Sequence, residues 1–141
     1  KFTIGCAIAP IADDAQLKQE VELAQKKIDA GAQYILLPPV FDTLFYTQMI
    51  DAFKSLNVPV IASVFLLKNV GMARYISIND PNSRISEEMI RRIRRSKDRE
   101  NECVDIAGEI IRSVKGAAQG IKISALGWED RLPAILDRAG L

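Results

Sequence analysis

The stretch Val58–Leu67 reads VPVIASVFLL, and Ser63 is its one polar residue. A near-continuous apolar run, without alternation of polar and apolar residues, is typical of a strand in a parallel sheet that is covered on both faces. The run is far too short to cross a bilayer, which takes about 20 apolar residues in a helix. It therefore predicts a buried parallel strand and favours the α/β class.

Three further runs read as strands, and each of the four is followed by a helical pattern. The additional runs are Phe2–Ala9, Tyr34–Leu37 and Ile121–Leu126. Helix N-cap residues and helix-ending residues stand at suitable positions around these patterns. The expected caps are Asp13 or Asp14, Asp42 or Thr43, and Ser86, and the expected ends are Gly31, Asn57, Gly116 and Gly140.

The third connection, residues 68–119, is long enough for more than one helix. It begins with a short helix near Val70–Ile76 and a turn over Asn79–Asn82. A longer helical stretch follows this turn, with an expected break near Ser96–Asn101 before a second apolar face. The last strand leads into a helix from about Glu129 to Ala139. Strands and helices therefore alternate along the whole chain.

This alternation predicts a parallel α/β sheet, which can close in two ways. An open doubly wound sheet is one, and part of a closed (β/α)8 barrel is the other. Neither G-x-G-x-x-G nor a P-loop follows the first strand, where Gly5–Ile8 reads GCAI, so the open nucleotide-binding fold lacks its usual support. We therefore expect residues 1–141 to form a single domain of the TIM-barrel type, covering about four βα units, with a missing partner half.

Charge and composition exclude several classes of function. The chain has 19 basic and 18 acidic residues and a net charge of +1, so no overall field attracts nucleic acid or an anionic membrane. Histidine is absent and there are only two cysteines, which excludes histidine-based catalysis and leaves no ligand set for zinc. The basic run Arg91–Lys97 is flanked by acidic residues and is expected to be a solvated helical face. Unpaired thiols and the lack of a signal sequence favour a cytoplasmic location.

In either closure the ligand site lies at the carboxyl ends of the strands. Phe41 and Trp128 fall there and offer aromatic faces to a planar ligand, or else they cap the core. Asp42, in the same region, is expected to cap a helix rather than to act as an acid. Lys26 and Lys27 form either a solvated helix face or a contact for a phosphate-bearing ligand.

The order of several short motifs resembles the methylenetetrahydrofolate reductase family over nearly all of the chain. The motifs are IGCAIAP at Ile4–Pro10, KIDAGA at Lys27–Ala32 after Glu20, PPVFD at Pro38–Asp42, VPVIA at Val58–Ala62, the segment Ile85–Ile93, and GIKI at Gly120–Ile123. The resemblance implies the C-terminal half of a flavin-dependent (β/α)8 barrel. It also implies reduction of methylenetetrahydrofolate to methyltetrahydrofolate through FAD, with NAD(P)H or another electron donor as reductant.

The resemblance also implies ligand contacts at particular positions. Those that correspond to flavin contacts are Ala9, Glu20, Lys26 and Lys27, and those that correspond to folate contacts are Pro38, Phe41, Met72 and Trp128. Pro38, Met72 and Trp128 stand where the family has polar or charged substrate contacts, which should weaken folate recognition. The family's acidic residue for substrate protonation lies in the other half of the barrel, so no catalytic residue is assigned here.

Three functions remain open on this basis. The first is a flavin reductase that acts on methylenetetrahydrofolate or a related one-carbon carrier. The second is a non-catalytic barrel scaffold or subunit that has lost the folate site, and the third is another barrel enzyme whose ligand carries phosphate. The expected partners are a small-molecule folate and the missing N-terminal barrel half or a partner subunit, within an oligomer and without nucleic acid or membrane.

Overall fold

Four strands alternate with six α-helices in the computed structural model, which describes residues 1–141. The strands are β1 (Gly5–Ala7), β2 (Tyr34–Leu36), β3 (Val60–Phe65) and β4 (Gly120–Ser124). The helices are α1 (Asp14–Asp29), α2 (Thr43–Phe53), α3 (Val70–Asn79), α4 (Glu87–Arg95), α5 (Arg99–Val114) and α6 (Leu132–Ala139). Short 3-10 turns lie at Lys54–Leu56, Pro81–Ser83 and Glu129–Arg131. The predicted α/β class is confirmed.

The four strands form one parallel sheet in the order β1-β2-β3-β4. The longest pairing joins β3 to β4, where Ile61–Phe65 lies beside Gly120–Ser124. The order does not reverse at any point, whereas a reversal defines the doubly wound sheets. The prediction of parallel strands that are neighbours in sequence and in space is confirmed, and the arrangement is consistent with part of a TIM barrel.

Helices cover one face of the sheet, and the other face is partly exposed. On β3, Val60, Ala62 and Val64 are at most 2% exposed, and the residues between them are half-buried. On the second face, Ala7 of β1 and Lys122 of β4 are exposed. Within this chain β3 is therefore fully covered only on the helix side, and the incomplete cover of the second face fits the expectation of a partner half.

The core lies between the sheet and two helices, α2 and α5. The buried residues of these helices are Phe45, Tyr46, Met49, Ile50 and Phe53 from α2 and Cys103, Val104, Ile106, Ala107, Gly108, Ile110, Ile111 and Val114 from α5. The Tyr46 hydroxyl donates to the backbone oxygen of Ser63 at 2.9 Å, and burial raises the pKa of Tyr46 well above its usual range. The neutral phenol therefore ties α2 to β3. Burial likewise raises the pKa of the Cys103 thiol to about 11, which makes it a packing group.

The helices start at the predicted caps. Side-chain oxygens accept backbone hydrogen bonds three residues on, from Gln16 to Asp13, from Phe45 to Asp42 and from Met89 to Ser86. The left-handed residues Asn57 (φ 57°) and Gly140 (φ 72°) end helical segments as predicted. Gly31 (φ 122°) and Gly116 directly follow the C-cap residues Ala30 and Lys115, which is where a helix-ending glycine is expected.

Several predicted elements differ in length from the observed ones, and for the strands this is because pairing rather than apolar character sets their bounds. The expected strand Phe2–Ala9 contracts to Gly5–Ala7, and the Phe2 side chain is 91% exposed. Helix α3 continues past Ile76 to Asn79. The helix expected from Glu129 begins at Leu132, because a 3-10 turn occupies the three residues before it.

The basic run Arg91–Lys97 covers the end of α4 and the break before α5. Arg94 and Arg95 are exposed, as predicted for a solvated face. Arg92 differs, because its guanidinium donates to the carboxylates of Glu102 and Glu109 at 2.7–3.0 Å. Such bidentate pairing is the strong form of an ion pair. Arg92 therefore joins α4 to α5.

None of the helices combines the length and apolar character that a membrane crossing requires. No group of three or more cysteine, aspartate or glutamate side chains is placed so that it could hold a metal ion.

The contact between α5 and α6 gives a test of the packing. A Cβ atom added at Gly108 would lie 2.2 Å from the Cβ of Arg138 and 3.2 Å from the backbone oxygen of Ile135. We expect Gly108→Ala to lower the free energy of unfolding by about 1–2 kcal/mol, because overpacking costs more than the roughly 1 kcal/mol gained in helix propensity. Gly116→Ala is the matched control, since nothing lies within 4 Å of its added Cβ. Chemical denaturation of the full-length protein checks this, and equal midpoints for both variants would contradict it.

Candidate functional site

The carboxyl ends of the four strands lie at one edge of the sheet, as parallel pairing requires. The segments that leave this edge are 8–13 after β1, 37–42 after β2, 66–69 after β3 and 125–131 after β4. Ligand sites of parallel α/β sheets form from such segments. The side chains on these segments and on the helices next to them are therefore the candidates for function.

A cavity of about 230 Å³ opens beside the ends of β2 and β3. Its lining residues are Pro39, Phe41, Phe65, Tyr75, Ile76, Asn79, Asp80 and Ser83. Phe41 is held in place from both sides, since its N–H donates to the Ser83 oxygen at 2.7 Å and the next residue, Asp42, caps α2. The cavity wall is thus mainly apolar, and its Phe41 is fixed by a backbone hydrogen bond.

Three polar residues, Asn79, Asp80 and Ser83, lie in the cavity lining at and just after the end of α3. The Asn79 side-chain N–H donates to the backbone oxygen of Tyr75 at 2.8 Å. The backbone oxygen of Asp80 accepts from both the N–H and the hydroxyl of Ser83, at 3.1 and 2.7 Å. The Asp80 carboxylate itself has no hydrogen-bond or ion-pair partner in the chain, although its backbone is fixed. It is available to a ligand.

A second group of side chains lies at the ends of β3 and β4, around Trp128. The Lys68 ammonium donates a short hydrogen bond to the Leu126 oxygen and lies 5.6 Å from the centre of the Trp128 ring. Leu126 (φ 53°) and Gly127 (φ 90°) both have left-handed backbones. A left-handed leucine is strained, and such strain persists only where the surroundings impose it. The contact with Lys68 is one such constraint.

The same group is nearly neutral in charge. The Arg131 guanidinium lies 5.7 Å from the Trp128 ring and pairs with Glu100 at 2.6 Å. Backbone hydrogen bonds, from its own amide and from that of Gly127, hold the pKa of Glu129 below its ordinary value, and the charge of Lys68 adds to this effect. We regard the group as a clamp on the β4–α6 turn rather than as an anion site.

A third set of polar atoms lies between α1 and β1. The Lys27 ammonium donates to the Ala7 oxygen, the last residue of β1, at 3.1 Å. One carboxylate oxygen of Glu20 is buried and has no hydrogen-bond partner. Lys26 and Ala9 are exposed and make no side-chain hydrogen bond in the chain. Of the predicted flavin contacts, the structure therefore places Glu20 and Lys27 against the sheet and leaves the other two facing solvent.

Arg84 connects the loops of this edge, and its importance was not predicted. Its guanidinium donates to the Ala12 oxygen at 2.8 Å and stacks 3.5 Å above the Phe45 ring. Its backbone is left-handed, with φ 57°. The residue thus fixes the β1–α1 loop against the start of α2. No pattern in the sequence distinguishes it from a solvated arginine, because both partners are remote in the chain.

The predicted folate contacts are spread over two places. Phe41 lines the cavity, whereas Pro38 and Met72 are half-buried neighbours of the same segments and do not line it. Trp128 belongs to the group around Lys68. The residues missed from the sequence are Phe65, Tyr75, Asp80, Arg84 and Arg131. Lys68 was not missed, since its position directly after the most apolar strand places it at the carboxyl end of β3.

A family described as Methylenetetrahydrofolate reductase matches the chain over residues 1–140. No curated protein sequence matches it.

The clamp around Trp128 can be tested by its fluorescence. Lys68→Met removes the hydrogen bond to Leu126 and the cation above the ring, so we expect a red-shifted Trp128 emission and a loss of about 1–2 kcal/mol in stability. Lys68→Arg keeps the charge and should retain most of both. Emission spectra, corrected by subtraction of a Trp128→Phe variant, measure the change. An unshifted spectrum for Lys68→Met would show that the clamp does not hold the ring.

Proposed function

The chain belongs to the methylenetetrahydrofolate reductase family, and from this premise we propose that it is part of a flavin-dependent enzyme that reduces methylenetetrahydrofolate to methyltetrahydrofolate. The observation that carries the proposal is the family match over residues 1–140, which includes every strand and helix. Membership supports a folate-related reductase at the level of the family. The use of FAD, the reductant and the contact residues belong to the proposal.

The proposed enzyme is a (β/α)8 barrel, of which residues 1–141 supply four βα units as the C-terminal half. The parallel order of the strands, the free edges at β1 and β4, and the partly exposed second face support this arrangement. An N-terminal half or a partner subunit would pair with both edges and cover that face. We place the assembled protein, as an oligomer, in the cytoplasm.

For FAD, α1 offers polar atoms that the chain does not satisfy by itself. Glu20, Ala24 and Lys27 follow one another at helical spacing, and Ala24 is fully buried, so this side of α1 faces the sheet. The buried Glu20 oxygen lacks a donor, which a ligand hydroxyl would supply. Lys27 uses one of its three N–H donors on Ala7 and keeps the others for a phosphate. The residues present therefore fit the cofactor.

Two further contacts, from Lys26 and Ala9, are proposed on the FAD side of the site. Lys26 adds a second positive charge near Lys27, and the small side chain of Ala9 leaves room at the end of β1. When bound, FAD supplies the hydride relay between NAD(P)H, or another donor, and the methylene carbon. The residues of this chain hold the cofactor and the folate and exclude water from the space between them.

On the folate side we propose contacts from Pro38, Phe41, Met72 and Trp128. Phe41 presents its ring in the cavity beside β2 and β3. Pro38 and Met72 have no side-chain donor, and Trp128 is already engaged by Lys68. Apolar contacts discriminate weakly between substrates, because few polar groups are left unpaired by the wrong ligand. We infer modest affinity for methylenetetrahydrofolate, or preference for a related one-carbon carrier.

The apolar character of these contacts also favours a second candidate. A barrel scaffold or subunit that has lost the folate site would retain the fold and the packing described above but would not turn over folate. The two candidates differ in whether flavin, once reduced, is reoxidised by the substrate.

The flavin proposal is tested first by binding. Lys27→Ala should weaken FAD binding by about ten- to a hundredfold, because a charge-assisted hydrogen bond contributes about 1.5–3 kcal/mol. Lys18→Ala is the matched control, since Lys18 is exposed on the same helix and its side chain makes no hydrogen bond or ion pair in the chain. Titration of full-length protein with FAD gives both affinities, and thermal unfolding shows whether the variants remain folded. An unchanged FAD affinity in Lys27→Ala would remove this lysine from the site.

The substrate proposal is tested by reoxidation of the reduced flavin. We expect methylenetetrahydrofolate to reoxidise it slowly and to saturate only at high concentration, because the apolar contacts provide little recognition. Stopped-flow absorbance at the flavin band measures this. Fast reoxidation that saturates at micromolar folate would contradict the inferred weak site, and no reoxidation at all would favour the scaffold.

A further inference from the structure

Arg84 occupies a backbone position that favours glycine. Its φ is 57°, in the left-handed region, which a residue with a Cβ atom adopts only where the surroundings impose it. The neighbouring residues supply this constraint, since Ser83 is 1% and Ile85 is 7% exposed. The backbone oxygen of Ser83 also accepts from the Phe41 N–H at 2.7 Å. The backbone of Arg84 is therefore fixed, although a glycine would occupy it with less strain.

The side chain of Arg84 carries a second cost. Its Nε atom is buried and has no hydrogen-bond partner, and a buried donor without a partner destabilises a fold. Two contacts offset these costs. The guanidinium donates to the backbone oxygen of Ala12 at 2.8 Å and lies 3.5 Å from the centre of the Phe45 ring. Both partners are remote in the chain, so the arginine is explained by the segments that it joins.

The loop between β1 and α1, residues 8–13, receives its one remote side-chain hydrogen bond from Arg84. Gln16, in the helix that follows, braces the loop locally, because its side-chain amide makes two hydrogen bonds with the loop backbone at 2.9 and 3.1 Å. The side chain of Ile11 is 1% exposed and anchors the loop in the core. Neither contact ties the loop to the start of α2. Arg84 alone does so.

We propose that Arg84 is a positioning residue, which holds residues 8–13 in the arrangement that the flavin requires. The inference rests on the proposed function, in which FAD lies beside Ala9 in this loop, and it adds a residue that acts on the cofactor without contacting it. The guanidinium is already engaged by the Phe45 ring and the Ala12 oxygen, so its effect passes through the loop. A loop that is ordered before binding strengthens affinity, because the cofactor then does not have to order it.

The test compares Arg84→Met, Arg84→Gly and Arg84→Lys with Arg95→Met in the full-length protein. Methionine keeps an apolar stem over Phe45 but has no donor for Ala12, whereas glycine removes the side chain and relaxes the left-handed backbone. Lysine keeps the charge and a donor but lacks the planar fork. Arg95 is exposed and its side chain makes no hydrogen bond or ion pair in the chain, so Arg95→Met is the matched control.

Fluorescence titration with FAD and with riboflavin gives two affinities for each protein, and hydrogen exchange measures the order of residues 8–13. Thermal unfolding shows whether each variant is folded. Arg84→Met and Arg84→Gly should speed exchange in the loop and weaken both flavins by about tenfold, as expected if the loop keeps its binding arrangement for about a tenth of the time. Arg84→Lys should give intermediate affinities, and Arg95→Met should behave like the wild type.

Flavin affinities that do not change in the folded Arg84→Met and Arg84→Gly variants would overturn the inference and leave the proposed function standing. Weaker binding of FAD with unchanged binding of riboflavin would also overturn it, because riboflavin lacks the phosphates and the arginine would then contact them directly. A wild type that binds neither flavin refutes the proposed function. In that case the exchange data decide the role of Arg84: faster exchange of residues 8–13 in both variants supports it, and unchanged exchange overturns it.

Discussion

Val60, Ala62 and Val64 of β3 pack beneath α2 and α5 and are almost completely removed from water. Burial of this kind contributes roughly 1.5–3 kcal/mol for each large apolar side chain. It also fixes which face of the sheet each side chain of β3 occupies, because a shift by one residue would move every side chain of the strand to the opposite face. Because β3 pairs in register with β2 and β4, its orientation also fixes which side chains of those two strands face the helices. The orientation of the sheet edge follows from it.

Two of the three groups of functional candidates, the cavity and the clamp around Trp128, depend on how β3 ends. Phe65, its last residue, lines the cavity, and Lys68, three residues later, reaches across to the Leu126 oxygen. The cavity and the clamp around Trp128 are therefore set by one segment. The burial of Leu66 and Leu67 between them prevents the segment from moving freely. A change in the packing of β3 should consequently disturb the two places together, although their chemistry is separate.

Local patterns in the sequence predict elements that are decided by local physics. The run Val58–Leu67 identifies a strand, and Asp13, Asp42 and Ser86 identify helix starts, because a cap needs only an oxygen three residues before an amide. Parallel order follows from alternation of strands and helices. The site is harder to predict, because its parts come from separate segments. Asp80 reads as a turn residue in NDPN, and only the fold reveals that it lines the same cavity as Phe41 and Tyr75.

The role of Lys27 depends on the open edge of the sheet. The N–H of Ile8 donates to the Leu36 oxygen, so the preceding residue, Ala7, directs its carbonyl away from β2 and towards the free edge. Lys27 satisfies that carbonyl, which is one way in which proteins protect an edge strand. In the proposed barrel, a strand paired with β1 would donate its own N–H to Ala7. The ammonium would then lose its backbone partner beside the unsatisfied oxygen of Glu20. Closure of the barrel would thus release the charge that the proposed phosphate contact requires, which couples assembly of the fold to binding of the cofactor.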